Sequence, residues 1–149
     1  MSGEGCWSLW VDGTALPNPG RIGLGLVLEA PDGSRRGESL APGLHGCNNQ
    51  AELAALCHGL RHAAAAGARH LRVSSDSDFV VRHVRGEQHT QVSRLLPLIA
   101  EAQALLAGFA VVELGWLPRR RNQDADALAR AALGLAVKPP TPKRRRRHR

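Results

Sequence analysis

Acidic residues stand in four suggestive places in this sequence: Asp12 in VDG, Glu52 in NNQAE, Asp76 in SSDSD, and Asp124 and Asp126 in RNQDADALARAAL. Taken singly, each has an ordinary structural explanation. An aspartate initiates turns, a glutamate three residues after Asn49 resembles a capping box, and Asp76 suits a helix cap. Acids in a first helical turn are favoured by the macrodipole, by roughly a few tenths to 1 kcal/mol each. None of these explanations predicts that acids should stand together at the ends of two neighbouring strands and at helix starts. Carboxylates converging on one spot repel, and their pKa values rise unless cations sit among them. Hard divalent ions with oxygen ligands remove that cost. Two such ions, about 4 Å apart, can activate a water and stabilise the leaving oxygen of a phosphodiester.

Competing chemistries are poorly represented. No serine, cysteine or lysine sits in a nucleophile constellation. The seven histidines lack metal-ligand spacing. His58 and His62, at i and i+4, could share a metal, but neither HExxH nor a partner acid accompanies them, and the pair reads as a solvated helix face.

The acids depend on the elements that position them. CWSLWVDG alternates and reads as a first strand ending near Asp12 and Gly13. ALPNPGR is turn material, and Pro31-Asp32-Gly33 joins a second strand to a third. Leu53, Leu56, Cys57, Leu60 and Ala64 recur at helical spacing from Asn48 to a Gly67 stop. ARHLRVSS is a short strand and DSDFVVRHVRG a short helix. A helix from Ser93 to Gly108 has its first turn disturbed by Pro97, FAVVELGWL is the last strand, and Asn122 caps the last helix. The order is βββαβααβα, an α/β class. The helical crossover makes the first and fourth strands parallel, giving a five-stranded mixed sheet with ligands expected at the carboxyl ends of its strands.

Charge divides the chain in two. It has 149 residues, 20 Lys and Arg against 13 Asp and Glu, and a net charge of +7. Seven of the cations fall in KPPTPKRRRRHR, residues 138–149, so residues 1–137 are formally neutral. Three prolines and like-charge repulsion predict a disordered tail after a domain of residues 1–137. A polybasic arm on a neutral body points to phosphates, of nucleic acid or of a membrane surface. No apolar run is long enough to span a membrane, the N-terminus carries no secretory pattern, and three cysteines without CxxC spacing suit a reducing cytoplasm.

Four blocks then carry a resemblance: VDGTALPNPGRIGLG, NNQAELAAL, SSDSDFVV and RRRNQDADALARAAL. In order and spacing they resemble type 1 ribonuclease H, over roughly residues 6–135. One block would be weak evidence; four in order, each with its acid, are specific. The resemblance implies a ribonuclease H-like fold with helices on both faces of the sheet. It also implies hydrolysis of the RNA strand of an RNA–DNA hybrid by a monomer, using two Mg²⁺ or Mn²⁺ ions. It assigns metal binding to Asp12, Glu52, Asp76 and Asp126, the last through its match to DALA; the helical wheel alone cannot choose between Asp124 and Asp126. It assigns minor-groove reading of 2′-hydroxyls to Asn18, Asn48 and Asn49, whose amides both donate and accept. Ser77, Arg119 and Arg120 complete the expected substrate contacts.

The chain departs from that family in three places. The loop before the last helix, LPRRRNQD, lacks the histidine that many members use in proton transfer, and its arginines cannot act as bases at neutral pH. Asp78 stands where a glutamine often touches substrate. The basic protrusion is missing, so the C-terminal tail is expected to supply the electrostatic grip. Two other readings remain: a catalytically weak module that binds hybrid or duplex RNA, and a resolvase- or transposase-like nuclease, which usually lacks the NPG and NNxxEL blocks.

Overall fold

The strand β1 (Cys6–Leu16) forms the centre of the sheet because its alternate residues are apolar: Leu9 and Val11 are fully buried. Their burial contributes roughly 1.5–3 kcal/mol per side chain. A computed structural model describes residues 5–135. Within it β1 is followed by β2 (Gly20–Glu29), β3 (Arg35–Leu40), a two-residue β4 (His45–Gly46), α1 (Asn48–Ala65) and β5 (His70–Ser75). Then come α2 (Asp78–Val84), α3 (Leu96–Leu106), β6 (Val111–Trp116) and α4 (Gln123–Ala132). The sheet order is β3-β2-β1-β5-β6, with β4 paired to β2. β2 runs antiparallel to β1 and β3, whereas β5 runs parallel to β1 and β6.

The five principal strands and four helices follow the order the sequence predicts. β4 adds one short pairing, Gly20 with Gly46 and Arg21 with His45. Two residues are too few to leave an alternating signal. β1 also runs past its expected end at Gly13. Its partner β2 continues the antiparallel ladder to Leu16–Arg21, while the parallel ladder with β5 stops at Val11–Ser75. Asp12 is therefore inside a strand, at the point where its β5-side edge is released. On α1 the buried stripe ends at Ala63, and Ala64 faces solvent.

Helices cover both faces. α1 packs on β1 and against α3, with Leu53, Leu56 and Leu60 fully buried, while α4 packs on the other side of β1, β2 and β3. Two glycines set how close these helices come. A Cβ on Gly13 would stand 2.0 Å from the carbonyl oxygen of Ala51 in α1. A Cβ on Gly25 would stand 2.2 Å from that of Ala125 in α4. Both contacts are backbone to backbone, so any side chain would push a helix, with its acid, away from the sheet. The expected domain end at residue 137 and the polybasic tail from residue 138 lie outside the described residues.

Candidate active site

Three of the acids named from sequence come together. Asp12, buried in β1, Glu52 in the first turns of α1, and Asp76 just past the end of β5 each present a carboxylate oxygen within 4.8 Å of the others. Local structure fixes each one. The Glu52 carboxylate accepts the Gly13 amide at 3.0 Å, which holds the start of α1 against β1. This replaces the capping-box reading, since the residue preceding α1 is Cys47. Asp76 does not cap α2. Ser77 does so, its hydroxyl accepting the Val80 amide at 3.1 Å, which leaves the Asp76 carboxylate free to face the cluster. The indole of Trp116 donates to the Asp76 carbonyl at 3.1 Å and fixes the backbone there.

The two aspartates of α4 are placed differently. Asp126 is half-buried and near enough to Asp12 for its charge to act there, but it stands outside the three acids whose oxygens meet within 4.8 Å. Asp124 is 73% exposed and meets Arg35 at 3.6 Å. The wheel argument fails to separate them because it ignores where the helix end sits over the sheet.

Asn122 holds the cap position of α4 that the sequence predicts, but its side chain has another task. Read as a helix cap, it makes no side-chain cap bond to α4. It is 2% exposed, and its amide nitrogen donates to the Val11 carbonyl at 2.9 Å and to Asp76 at 3.1 Å. It thus ties α4 to β1 and orients one acid of the cluster. A polar residue four positions before Asp126 was visible in the sequence; its burial was not.

The electrostatics follow from this crowding. Burial, then the charges of Glu52, Asp76 and Asp126, push the Asp12 carboxyl up to about 10. Burial and the charge of Asp76 push Glu52 up to about 8, against the Gly13 amide and Arg119. Asp76 is also raised by burial, opposed by its bond from Asn122 and by Arg119. An acid whose pKa rises on folding stabilises the fold below its unfolded pKa, and that stability is lost as pH rises toward the folded value. The metal-free protein is therefore expected to lose stability between the ordinary carboxylate range and about 8 to 10. A divalent cation held by these acids should raise Tm more at about pH 8.5 than at about pH 5, where protons already neutralise the cluster. Thermal melts with and without chelator at both pH values check this, and an equal shift at both would contradict it.

Of the remaining predicted residues, Arg119 bears on the charge of the cluster, and the others take up separate positions. Asn18 accepts the Asn48 amide at 3.0 Å, and the Asn48 side chain accepts the Ala15 amide at 3.0 Å, which ties the Pro17–Pro19 turn to the start of α1. In both side chains the oxygen is engaged within the fold. Asn18 and Asn48 are exposed and Asn49 is half-buried. Arg119 lies in a 3-10 turn, Arg119–Arg121, near enough to Glu52 and Asp76 to act on their charge. Arg120 instead lines a groove with Trp10, Arg35 and Asp124. Asp78 turns away from the cluster and forms a two-oxygen pair with Arg82, both at 2.9 Å.

Comparison with known proteins agrees with this arrangement. Residues 10–132 match the family described as reverse transcriptase-like. The chain is 37% identical over 127 residues to a bifunctional protein of Mycobacterium tuberculosis, covering 85% of this chain and 35% of that one. It is 35% identical over 124 residues to ribonuclease HI of Halobacterium salinarum, covering 83% of this chain and 62% of that one. It therefore spans only about a third of the first relative and under two thirds of the second. The crystal structure of the Halobacterium salinarum RNase H1 superposes with a TM-score of 0.79 at 33% identity, covering 87% of this chain and 98% of that one. The N-terminal RNase H domain of the mycobacterial protein superposes with a TM-score of 0.78 at 32% identity, covering 88% and 95%. Fold, matched span and relatives agree, and the chain belongs to the ribonuclease HI family.

Proposed function

We propose that this chain is a metal-dependent endoribonuclease that hydrolyses the RNA strand of RNA–DNA hybrids, leaving 3′-hydroxyl and 5′-phosphate ends. The observation that carries the reading is the convergence of Asp12, Glu52 and Asp76, with Asp126 near enough for its charge to act on Asp12. The donor set fits the expected cofactor. It is made of carboxylates alone, with their pKa values driven up for want of a cation among them, and all-oxygen sites select hard ions such as Mg²⁺ and Mn²⁺. Asp12, Glu52, Asp76 and Asp126 would hold two ions with substrate bound. The chemistry such ions supply is a lowered water pKa and charge neutralisation on the phosphate.

The chain's own groups have separate tasks in this reading. Asn18 and Asn48 use their oxygens to fix the turn, leaving the amide hydrogens for 2′-hydroxyls beside Asn49. Ser77 stands at the cluster's edge. Arg119 offsets the charge of the acids and, with Arg120, meets the phosphate backbone. The loop before α4 supplies arginines only, which stay charged and cannot relay a proton. Cleavage assays on labelled hybrid, duplex RNA and duplex DNA, with and without chelator, test the proposal. Cleavage of the RNA strand in the hybrid alone, abolished by chelator, is the expected result. Binding of hybrid without cleavage would leave a recognition module.

The basic segment from Lys138 to Arg149 is proposed to grip nucleic-acid phosphates, in place of the missing protrusion. Truncation after Val137 should leave turnover at saturating substrate nearly unchanged. The slope of log K against log salt should fall by roughly 0.7–0.9 for each phosphate the tail neutralises. An unchanged slope would assign the tail to another partner. Among the described residues no helix is long and apolar enough to cross a membrane, and the three cysteines are unpaired. A monomer working in the cytoplasm is the setting this reading implies.

A further inference from the structure

We propose that Glu38, His58 and His62 form a second cation site, distinct from the acid cluster, which takes a transition ion of the Zn²⁺ class and staples the edge strand β3 to α1. The sequence offers no acid near the histidine pair; the fold supplies one. His58 and His62 lie one turn apart on α1, and both direct their Nε2 atoms at the carboxylate of Glu38 on β3. The contacts are 3.3 Å from His62 and 3.8 Å from His58, and all three donor atoms fall within 4.8 Å of one another.

The 3.3 Å separation of His62 suits a shared ion, and the 3.8 Å of His58 is slightly longer than one requires. Zinc bonds of about 2.0–2.2 Å to imidazole nitrogen and carboxylate oxygen, set at tetrahedral angles, separate neighbouring donors by roughly 3.3–3.5 Å. The geometry also leaves His58 unaccounted for otherwise. Its Nε2 is buried, too far from Glu38 for a hydrogen bond, and has no hydrogen-bond partner. A buried polar nitrogen without a partner is costly. Two imidazoles and one carboxylate leave a fourth position for water.

The donor chemistry separates the two sites. Imidazole favours Zn²⁺, Co²⁺, Ni²⁺ and Cu²⁺, whereas Mg²⁺ prefers the all-oxygen cluster. Glu52 precedes His58 by six residues, about 9 Å along the helix. An ion at the second site therefore braces the helix that carries Glu52 without entering the cluster. The inference stands apart from the proposed hydrolysis.

Calorimetric titration of the metal-free full chain with Zn²⁺, in excess Mg²⁺ to occupy the acids, tests the site. One Zn²⁺ should bind per chain, and Tm should rise by roughly 5–10 °C at a free concentration near one hundred times the dissociation constant. Co²⁺ in place of Zn²⁺ should give the visible absorption bands of a four-coordinate ion. His62→Gln, His58→Ala and Glu38→Gln should each weaken Zn²⁺ binding by more than the roughly 10–100-fold that loss of an outer-shell partner typically costs. They should also abolish the Co²⁺ bands while leaving the Mg²⁺-supported reaction intact. The conservative His62→Gln keeps the test valid if His58→Ala folds poorly. Undiminished Zn²⁺ binding in the variants, or no Mg²⁺-resistant binding in the parent chain, would overturn the proposal.

Discussion

Asp126→Asn is expected to reduce hybrid cleavage by orders of magnitude, whereas Asp124→Asn leaves it close to that of the parent chain. The two residues share a helical turn, a charge and a flanking position to the buried stripe of Ala125 and Ala129, so any general effect of acidity in α4 would strike both alike. Their surroundings differ. Asp126 is near enough to act on Asp12, while Asp124 is 73% exposed and meets Arg35. An amide keeps the size and hydrogen bonding of the carboxylate but not its charge, so the fold should survive in both variants. Removing an acid from the crowded cluster should also relax Asp12 toward its ordinary value, since Asp126 raises it. Loss of Asp124 removes a favourable charge from the first turn, at about a few tenths to 1 kcal/mol. Steady-state cleavage by the two variants checks the assignment. Equal loss of activity would show the register on α4 to be wrong.

Asn122→Ala is expected to weaken both stability and cleavage. The side chain is buried and holds two acceptors, Val11 on β1 and Asp76 beyond β5. Its truncation breaks both bonds and leaves the Val11 carbonyl short of a partner, at a cost of about 1–3 kcal/mol. It also frees the Asp76 carboxylate to turn from the cluster, so activity should fall even at temperatures where the variant is fully folded. Denaturant midpoints measure the first effect and turnover of the folded variant the second. Unchanged turnover in a destabilised variant would make Asn122 a structural tie only.

The elements legible in the sequence were those with long periodic signals or strong stop residues. α1 shows its stripe of Leu53, Leu56 and Leu60 and its Gly67 stop, and the β2–β3 turn shows Asp32-Gly33. What the sequence concealed depended on contacts between distant segments. β1 runs on to Leu16 because β2 pairs with it there, not because its own residues demand it. Gly13, read as a strand end, and Gly25 prove to be the places where helix backbones touch the sheet. The acids were legible as types and spacings. Their roles as ligands came from the family pattern, because each acid had an adequate local explanation. Ser77, not Asp76, caps α2, and Asn122 caps α4 by position while its buried side chain bonds β1 and Asp76; residue type alone could show neither.

The central claim is that this cluster directs water, supported by divalent ions, at a phosphodiester of an RNA strand. The most direct measurement is the chemistry of the fragment ends after cleavage of an RNA–DNA hybrid labelled on the RNA. Attack by water predicts 3′-hydroxyl and 5′-phosphate ends, with no cleavage in excess chelator. Ends carrying a 2′,3′-cyclic phosphate, or cleavage that persists in chelator, would mean that the 2′-hydroxyl is the nucleophile and that these carboxylates do not hold the ions assigned to them.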